Sequence, residues 1–467
     1  MDPPHRGRQR VLGLSADRRG RRALPLTPVA RAGWRGFAKT LGARQRRWAE
    51  ACGFIGQAGA VCMLPDARGD SARVLCGIDP ALPPFALGGL PWQLPADDYR
   101  LEGDALSAHD AALGWALGSY RFARYREPHA EPARLVLPRA VLDEVSPTVE
   151  AIVRVRDLVN TTAQDLGPAE VCGAVREVAA AHGAKCREWS GDGLLEAGFP
   201  TVHAVGRASP RAPRVIELTW GDPKHPLLAL VGKGVCFDTG GLDLKSHDGM
   251  RWMKKDMGGA AHALSLAQLV MASNLPVRLR LLIPTVDNAV AGDALRPGDV
   301  IRTRAGITVE VDNTDAEGRL ILCDALAAAV EEHPDLLVDF ATLTGAARVA
   351  LGPDLPALFA SRDDLAESVL AAGTAQHDPL WRLPLWQPYR AMLVSGVADT
   401  SNTGASRHAG AITAALYLQN FVPASVPWLH VDVYAWNDGD RPGRPRGGDA
   451  QSLRAFHAFL RERYPRA

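Results

Sequence analysis

Two glycine-punctuated segments of the chain hold an unusual concentration of charged side chains. The first is Val231–Asp256, VGKGVCFDTGGLDLKSHDGMRWMKKD, and the second is Asn313–Leu320, NTDAEGRL. Together they contain four carboxylates, two lysines and one arginine: Lys233, Asp238, Lys245, Asp256, Asp315, Glu317 and Arg319. Buried carboxylates need cations or metal ions to remain charged. The two segments therefore predict one site in which the acids are held by metals or by basic side chains.

The spacing within the second segment predicts a direction for its polar side chains. Asp315, Glu317 and Arg319 are two residues apart. Alternate side chains of an extended backbone point to the same side. We therefore expect these three residues on one face of an extended stretch. The glycine pairs Gly240–Gly241 and Gly258–Gly259 would let the backbone pass close to this crowded site.

Metal binding is the interpretation that uses all four acids. Divalent cations bind carboxylate oxygen, and two such ions about 3.5–4 Å apart share bridging carboxylates. The four acids supply enough oxygen for two ions, whereas a solvated loop with ion pairs is the alternative for NTDAEGR alone. Three histidines lie nearby in the sequence, and we expect them to be ordinary core or surface residues and not ligands: His203, His247 and His262.

Alternating strand and helix patterns place the two segments in an α/β fold. Strands are predicted at Leu227–Val231 and Leu336–Leu343, and helices at Pro168–His182 and Leu320–Glu332, among others. Sites in such folds gather at the carboxyl ends of strands. Lys233 follows the first of these strands, so the first charged segment lies where chemistry is expected.

The predicted fold class is α/β, with a small N-terminal α/β domain and a larger catalytic α/β domain whose central mixed sheet is flanked by helices. The predicted boundaries are a basic extension over 1–45, the N-terminal domain over 46–145, a linker helix over 146–160 and the catalytic domain over 161–467. The extension is rich in arginine and poor in acids. This composition is typical of a solvated, poorly ordered arm or of a transit peptide, and we favour the arm.

Bulk composition excludes several classes of protein. The chain has 467 residues and a net charge of +1, which allows a large core and gives no general electrostatic reason to bind nucleic acid. Its seven cysteines are scattered without a CxxC pair, which predicts reduced thiols and neither a disulfide frame nor a cysteine zinc site. No apolar run approaches the roughly 20 residues of a membrane-spanning helix. We expect a cytoplasmic protein with no membrane partner.

Four segments resemble the signature segments of the leucyl aminopeptidase (M17) family of dinuclear metallopeptidases. They are VGKGVCFDTGGLDLK, MKKDMGGAA, NTDAEGRLILCDAL and DFATLTGAARVALG, in the family's order and with family-like intervals. The resemblance covers Asn160 to about Val433, with a weaker similarity in Ala108–Leu137. All seven charged positions keep the family's residue types, so the resemblance implies an active enzyme that releases N-terminal amino acids from peptides.

The resemblance also implies a role for each charged residue. Asp238 and Glu317 would bridge two divalent ions, either Mn²⁺ or Zn²⁺. Asp315 would complete the more tightly held site, and Lys233 and Asp256 the more exchangeable one. A lysine ligand must be neutral, and an adjacent dication would hold its pKa down.

The family's catalytic groups map onto two further residues. Lys245 would donate to the scissile carbonyl oxygen and stabilise the oxyanion. Arg319 would hold a bicarbonate ion that acts as general base towards a metal-activated water. The pocket for the first side chain would be lined by Met253, Thr342 and Gly345, with the substrate peptide held by the Leu343 backbone.

Partners follow from the same resemblance. It implies peptide substrates with a free N-terminus, since a free α-amine can bind the exchangeable metal and meet Asp256. It also implies a homohexamer. Two segments depart from the family, Gly396–Ala409 and Trp436–Ala450, and we expect the second to be a loop near the site or near a subunit contact that gates the pocket.

Three other functions stay open at this point. A DNA-binding regulator would need a long basic stripe, but the basic residues concentrate in the N-terminal extension, so we do not expect nucleic acid as a partner. A dedicated dipeptidase could use the same site, and only a substrate panel separates it from a broad aminopeptidase. A catalytically silent scaffold is disfavoured by the intact charged positions.

Overall fold

A computed structural model describes residues 12–18, 22–404 and 406–466. The chain divides into two compact units. The first comprises the residues up to Val153 together with Asn437–Arg446, and the second comprises Arg154–Trp436 and the residues from Gly447 onwards. Both units combine helices with a sheet, so the predicted α/β class with a smaller N-terminal and a larger C-terminal part is confirmed.

The first unit is built on a six-stranded sheet with the order β1-β6-β5-β2-β4-β3. Its strands are β1 Leu14–Ala16, β2 Leu24–Ala30, β3 Val61–Pro65, β4 Ser71–Ile78, β5 Asp98–Leu101 and β6 Arg134–Leu137. Its helices are α1 Trp34–Ala38, α2 Ala43–Ala51 and α3 Ala108–Ser119, with 3-10 turns at Arg31–Gly33, Pro83–Phe85 and Leu90–Trp92. All neighbouring strands are parallel except β3 and β4.

The structure differs from the predicted extension over 1–45. Strand β2 lies inside the sheet, where Leu26 pairs with Val74 of β4 and with Leu101 of β5. Its sequence, LPLTPVA, contains two prolines, which lack the N–H of a ladder and therefore hide a strand from pattern analysis. Residues 1–11 and 19–21, which belong to the same predicted extension, lie outside the described residues.

The predicted linker helix over 146–160 corresponds to a longer helix, α4 Arg139–Asn160. It ends at the predicted residue but begins seven residues earlier, which leaves Pro147 inside it. The division between the two units falls within this helix, between Val153 and Arg154. In the ranges that the structure describes, no helix combines the length and the apolar character needed to cross a membrane.

The second unit contains a nine-stranded mixed sheet with the order β16-β15-β18-β14-β9-β11-β8-β7, to which β10 is added beside β11. The strands are β7 Lys185–Ser190, β8 Arg214–Trp220, β9 Leu227–Gly232, β10 Gly234–Asp238, β11 Arg278–Asn288, β12 Val300–Arg302, β13 Thr308–Glu310, β14 Leu336–Ala341, β15 Ala357–Ala360, β16 Trp381–Arg382, β17 Thr400–Ser401 and β18 Trp428–Asp432. Strands β12, β13 and β17 form a separate three-stranded sheet. Two short strands, β19 Trp436–Asn437 and β20 Gly447–Gly448, bracket the segment that belongs to the first unit.

Helices cover this sheet. They are α5 Pro168–His182, α6 Gly193–Glu196, α7 Pro200–Gly206, α8 His247–Met250, α9 Gly258–Ala272, α10 Glu317–Val330, α11 Gly345–Leu351, α12 Asp363–Ala375, α13 Gly410–Gln419 and α14 Leu453–Arg463, with 3-10 helices at Met253–Lys255 and Gln387–Leu393. Helices α9 and α10 are almost wholly buried, which agrees with their small or apolar residues on every face. A mixed sheet flanked by helices was predicted and is confirmed.

The centre of the sheet brings the charged segments to one edge. Strand β9 is parallel to both its neighbours, β11 and β14, so their carboxyl ends lie side by side. Helix α9 lies close to β9 and to β14. A Cβ on Gly232 of β9 would lie 2.6 Å from the Cα of Ala260, and a Cβ on Gly259 would lie 2.2 Å from the carbonyl oxygen of Phe340 in β14. Only glycine at these two positions permits the helix and the sheet to lie this close together.

A buried polar cluster ties two of the central strands together. The Asp339 carboxylate of β14 accepts from Trp428 Nε1 at 2.7 Å and lies 2.6 Å from Nδ1 of His430, both on β18. All three side chains are fully buried. Burial alone would lower the pKa of His430, but the Asp339 carboxylate outweighs it and raises that pKa. The carboxylate thus favours the charged form of this imidazole.

Replacing Asp339 with alanine should destabilise the second unit. The substitution leaves the Trp428 and His430 donors unpaired inside the sheet, which lowers the free energy of unfolding by about 3 kcal/mol. Urea denaturation followed by tryptophan fluorescence measures the change. Asp364→Ala is the control, because that carboxylate is solvent-exposed and pairs with the exposed Arg362. Equal midpoints for the two variants would show that the buried pair contributes nothing to stability.

Candidate metal centre

The charged residues come from four strand or helix ends at the carboxyl edge of the sheet. Lys233 follows β9, Asp238 ends β10, and Asp256 follows the 3-10 helix Met253–Lys255. Glu317 is the first residue of α10, with Arg319 in the same turn. Asp315 lies in the turn just before this helix. These six predicted residues are thus near strand or helix ends of one unit, and the seventh, Lys245, lies in the loop between β10 and α8.

The expectation of an extended backbone through 315–319 is wrong. Glu317 and Arg319 lie in the first turn of α10, and Asp315 precedes that helix. The side chains converge because a helix begins at the site, not because alternate residues share a face. The partial positive charge at a helix N-terminus also favours an acid such as Glu317 at its first position.

Glycines allow the two segments to approach one another. The turn after β10 contains Gly240 at φ +89° and Gly241 at φ +66°, a backbone conformation that side-chain-bearing residues rarely adopt. Gly318 lies against the stem of Lys233, since a Cβ there would lie 2.3 Å from Lys233 Cε. The lysine can therefore reach the carboxylates only because residue 318 has no side chain.

Each lysine bridges two acids. Lys233 Nζ lies 2.7 Å from Asp256 Oδ2 and 3.0 Å from Glu317 Oε1. Lys245 Nζ lies 2.9 Å from Asp238 Oδ2 and also pairs with Asp315. The Lys233 side chain is 4% exposed and that of Lys245 is 16% exposed. Lys245 therefore lies on the open side of the cluster and Lys233 on the closed side.

The two acids near the start of α10 bind protons more readily than usual. Burial, followed by the Asp238 carboxylate, raises the pKa of Glu317 well above its ordinary value, and Lys233 opposes this only in part. Burial and Asp238 also raise the pKa of Asp315 to about 6, against the influence of Lys245. The two lysines therefore do not supply enough positive charge for the acids around them.

The donor set fits divalent cations. One carboxylate oxygen from each of Asp238, Asp315 and Glu317 lies within 4.8 Å of the other two. Apart from the Lys233 ammonium, which lies 3.0 Å from Oε1, no group in the described part of the chain donates to the buried Glu317 carboxylate. A buried carboxylate with so few donors is costly, and a bound dication, which prefers hard oxygen ligands, would satisfy it. Asp256 is linked to Glu317 through Lys233, which pairs with both acids.

Three residues that sequence analysis missed hold the charged segments in place. Asn288, at the end of β11, donates through Nδ2 to Asp238 Oδ1 at 2.8 Å and to the Thr314 carbonyl oxygen at 3.1 Å. Asp243 Oδ2 accepts from the Thr314 amide at 2.7 Å, which ties the first segment to the second. The sequence marks Asn288 only by its position at a strand end, and Asp243 only by its position after the glycine pair Gly240–Gly241.

Asn402 is the third of them and comes from Gly396–Ala409, one of the two segments that depart from the family pattern. Its Oδ1 accepts from the amides of Asp312 and Asn313, at 2.9 and 3.2 Å. Its carbonyl oxygen accepts from Arg319 Nη1 at 2.5 Å. This segment therefore supports the turn that carries Asp315.

Arg319 is a buried cation with part of its hydrogen-bonding capacity unused. Its Nε is buried and has no hydrogen-bond partner among residues 12–18, 22–404 and 406–466. Burial lowers the pKa of this guanidinium, an effect that Tyr417 and Glu317 partly offset. A group with a free, buried N–H at the edge of a carboxylate cluster can hold a small anion.

The predicted pocket residues lie at the same edge. Met253 is half-buried and begins the 3-10 helix that leads to Asp256, and Thr342 Oγ1 donates to Asp256 Oδ1 at 2.8 Å. The Leu343 amide donates to Asp432 Oδ1 at 2.9 Å, so this N–H is already occupied. Gly345 begins α11, and no atom lies within 4 Å of the position that a Cβ would take there.

The three histidines lie outside the group of acids. His262 is held by Gly258 and Gln451 in the core, and His203 contacts Asp192. His247 begins the short helix α8. The group of potential ligands in the described ranges consists of carboxylates alone.

Family comparisons agree with this geometry. The model of the cytosol aminopeptidase family, catalytic domain, matches residues 153–456, and that of the M17 aminopeptidase N-terminal domain matches residues 24–138. The chain belongs to the cytosol aminopeptidase family. The prediction of a leucyl aminopeptidase-type enzyme is thereby confirmed, and the protein is a metal-dependent aminopeptidase. The N-terminal match begins at β2, which places that strand within the family's N-terminal domain.

Several cytosol aminopeptidase relatives resemble the chain over most of its length. A probable cytosol aminopeptidase of Leifsonia xyli subsp. xyli is 39% identical over 454 residues, which cover 90% of this chain and 91% of the relative. The crystal structure of the cytosol aminopeptidase from Coxiella burnetii is 49% identical, covers 97% of this chain and 99% of that one, and has a TM-score of 0.93. The bottromycin maturation enzyme BotP in complex with Mn is 37% identical, with 94% and 99% coverage and a TM-score of 0.85.

Removing the Asn288 amide should weaken metal binding without removing any carboxylate. The Asp238 carboxylate loses a donor that orients it, and the loss of such a supporting group lowers metal affinity by about 10–100-fold. Isothermal titration of chelator-treated Asn288→Ala protein with Mn²⁺ measures the change. Gln376→Ala, at the C-terminal end of α12, is the matched control and should bind like the unaltered protein. Equal affinity in both variants would mean that Asp238 is oriented without Asn288.

Proposed function

We propose that the aminopeptidase uses two divalent ions held by the carboxylate cluster. Asp238 and Glu317 would serve both ions, Asp315 one of them, and Lys233 with Asp256 the other. The observation that carries this assignment is the buried Glu317 carboxylate, which lies among other acids and has only the Lys233 ammonium within ion-pair distance in the described ranges. When bound, the ions supply Lewis acidity, which polarises a carbonyl and lowers the pKa of water.

Lys233 pairs with Asp256 and Glu317, two of the acids beside which it would act as a metal ligand. Without a metal, burial alone would lower its pKa, but the carboxylates of Asp256, Glu317 and Asp238 raise it. The amine would have to lose this proton to serve as a metal ligand.

Lys245 is the residue that we assign to the scissile carbonyl. Its ammonium remains charged, because Asp238, Glu317 and Asp315 raise its pKa against the opposing influence of burial. It is also the more exposed of the two lysines, so a peptide can reach it. A fixed positive charge beside the developing oxyanion stabilises the transition state more than the substrate.

Arg319 is the residue that we assign to a bicarbonate ion acting as the general base. Its unpartnered, buried Nε supports this assignment, since a planar anion could accept from it. No histidine lies in the carboxylate group to take the role. The base would accept the proton of the attacking water, and the arginine would keep the anion in place.

The substrates that we propose are peptides with a free N-terminus. A free α-amine could meet Asp256, while Met253, Thr342 and Gly345 would form the pocket for the first side chain. The open space beside Gly345 supports this role. The Leu343 amide is occupied by Asp432, so the peptide would be held by another atom of the Leu343 backbone.

We also propose manganese or zinc as the metal, a cytoplasmic location and a homohexamer. The structure of BotP, one of the structural relatives, is a complex with Mn, which supports manganese. Many relatives are named cytosol aminopeptidases, which supports the cytoplasmic location. Oligomer formation is supported by large apolar side chains exposed in the second unit, namely Val349, Trp381, Trp386, Val394 and Val397. Light scattering would give six times the 50.0 kDa mass of one chain.

Hydrolysis of Leu-p-nitroanilide should depend on added metal and on a free amine. Chelator-treated protein should be inactive, and Mn²⁺ or Zn²⁺ should restore release of p-nitroaniline, because the acids need the ions to organise substrate and water. N-acetyl-Leu-p-nitroanilide is the control substrate and should not be cleaved. Cleavage of the acetylated substrate at a similar rate, or no cleavage of either with metal bound, would contradict the proposed exopeptidase chemistry.

Replacing Lys245 with alanine should lower kcat by about 10²–10³-fold, the usual effect of removing one oxyanion donor. The value of KM should change much less, because the charge acts mainly on the transition state. Metal content is measured in the same samples, since Lys245 also contacts two acids. Lys185→Ala, an exposed lysine of β7, is the control. A metal-loaded Lys245→Ala protein with the original kcat would favour a different electrophile.

A further inference from the structure

A second buried lysine lies beside the metal centre and lacks a partner. Lys255 is only 7% exposed, and it directly precedes Asp256. Its ammonium makes no hydrogen bond and no ion pair with the described residues, and it lies 5.0 Å from the centroid of the Tyr434 ring. Removing a lysine from water without an anionic partner has a free-energy cost of several kcal/mol. An anionic ligand bound at this position would offset that cost.

A second cation converges on the same ring. The guanidinium carbon of Arg348, on α11, lies 4.9 Å from the centroid of Tyr434. Like Lys255, Arg348 forms no ion pair with a carboxylate in the described part of the chain. Two positive side chains that share one aromatic neighbour repel each other, and an anion bound near both would remove this repulsion.

The nearby acids are already engaged elsewhere. Asp432 accepts from the amides of Leu343 and Thr344 and from Thr344 Oγ1. Asp256 is held by Lys233 and by Thr342. Neither carboxylate lies within ion-pair distance of Lys255, so the protein itself does not supply the missing anion.

Sequence neighbours place these cations next to the proposed substrate pocket. Lys255 ends the 3-10 helix that begins at the pocket residue Met253. Arg348 is one turn along α11 from Gly345, so both lie on the same side of that helix. Tyr434 follows β18, the neighbour of the strand that leads to Thr342.

We propose that Lys255 and Arg348, which both lie against the Tyr434 ring, form a subsite for a carboxylate of the peptide substrate. The inference rests on the proposed aminopeptidase function and deepens it by naming a substrate class. The buried lysine provides a charge-assisted hydrogen bond, and the arginine provides a second positive charge at the open end. Acidic or short peptides are then bound better than neutral, blocked ones.

Two parts of a peptide carry such a carboxylate. One is the side chain of an N-terminal glutamate or aspartate, and the other is the C-terminus of a dipeptide. The first is tested with the pair Glu-p-nitroanilide and Leu-p-nitroanilide, and the second with Leu-Gly and Leu-Gly amide. Each pair differs chiefly in the carboxylate, so a ratio of kcat/KM values isolates its contribution.

The experiment compares metal-loaded Lys255→Met and Arg348→Gln proteins with the unaltered enzyme. In Lys255→Met the ratio for one pair should fall about 10-fold, mainly through KM, as expected for one hydrogen bond to a charged group. Arg348→Gln should lower the same ratio less. The matched controls are Lys224→Met and Arg362→Gln, which remove exposed cations of the same kinds and should leave both ratios unchanged.

The outcomes separate the subsite from the proposed function. A fall in the glutamyl ratio assigns the side chain of the N-terminal residue, and a fall in the dipeptide ratio assigns the C-terminus. An active enzyme in which both ratios stay unchanged in both variants would overturn the subsite alone. No cleavage of any free-amine substrate by the unaltered, metal-loaded protein would overturn the proposed function and the subsite with it. Thermal unfolding checks that Lys255→Met remains folded.

Discussion

The burial of three carboxylates beside a partly exposed fourth, at one edge of a sheet, is the constraint on which the rest of the structure depends. Acids removed from water repel each other and favour their neutral forms, as the raised pKa values of Asp315 and Glu317 show. Two lysines bridge the acids in pairs, but Glu317 has no hydrogen-bond donor other than Lys233 in the described residues. The site therefore keeps a deficit of positive charge that divalent ions can remove.

The surrounding fold meets this constraint with rigid elements. Three parallel strands, β9, β11 and β14, bring the carboxyl ends of buried segments together, and α10 begins where its first residue joins the acids. Close packing of α9 against β9 and β14 needs glycine at 232 and 259, which fixes the position of the loop before the helix. Asn288 and Asn402, which lie outside both charged segments in the sequence, hold those segments in place. Supporting contacts of this kind orient side chains for metal binding.

Local patterns in the sequence predicted most of this arrangement, and the failures have physical causes. Helix α5 matches its predicted range, Pro168–His182, because proline, glutamate and glycine mark its ends. Strand β2 was missed because two prolines interrupt its pattern. The two-residue spacing of Asp315, Glu317 and Arg319 was assigned to an extended backbone, although these residues lie at a helix start that tertiary packing defines. Asn402 was missed because it reaches the site through contacts with residues about ninety positions away.

The difference between Lys233 and Lys255 shows how burial can separate metal chemistry from substrate recognition. Both side chains are more than nine-tenths buried and lie near Asp256. Lys233 has carboxylates on two sides, so the protein itself balances its charge. Lys255 forms no ion pair with the described residues, and the Tyr434 ring beside it stabilises the cation only weakly. A buried cation whose charge is poorly balanced in the free protein gains the most free energy when an anion binds to it. This gain makes the site select anionic ligands over neutral ones.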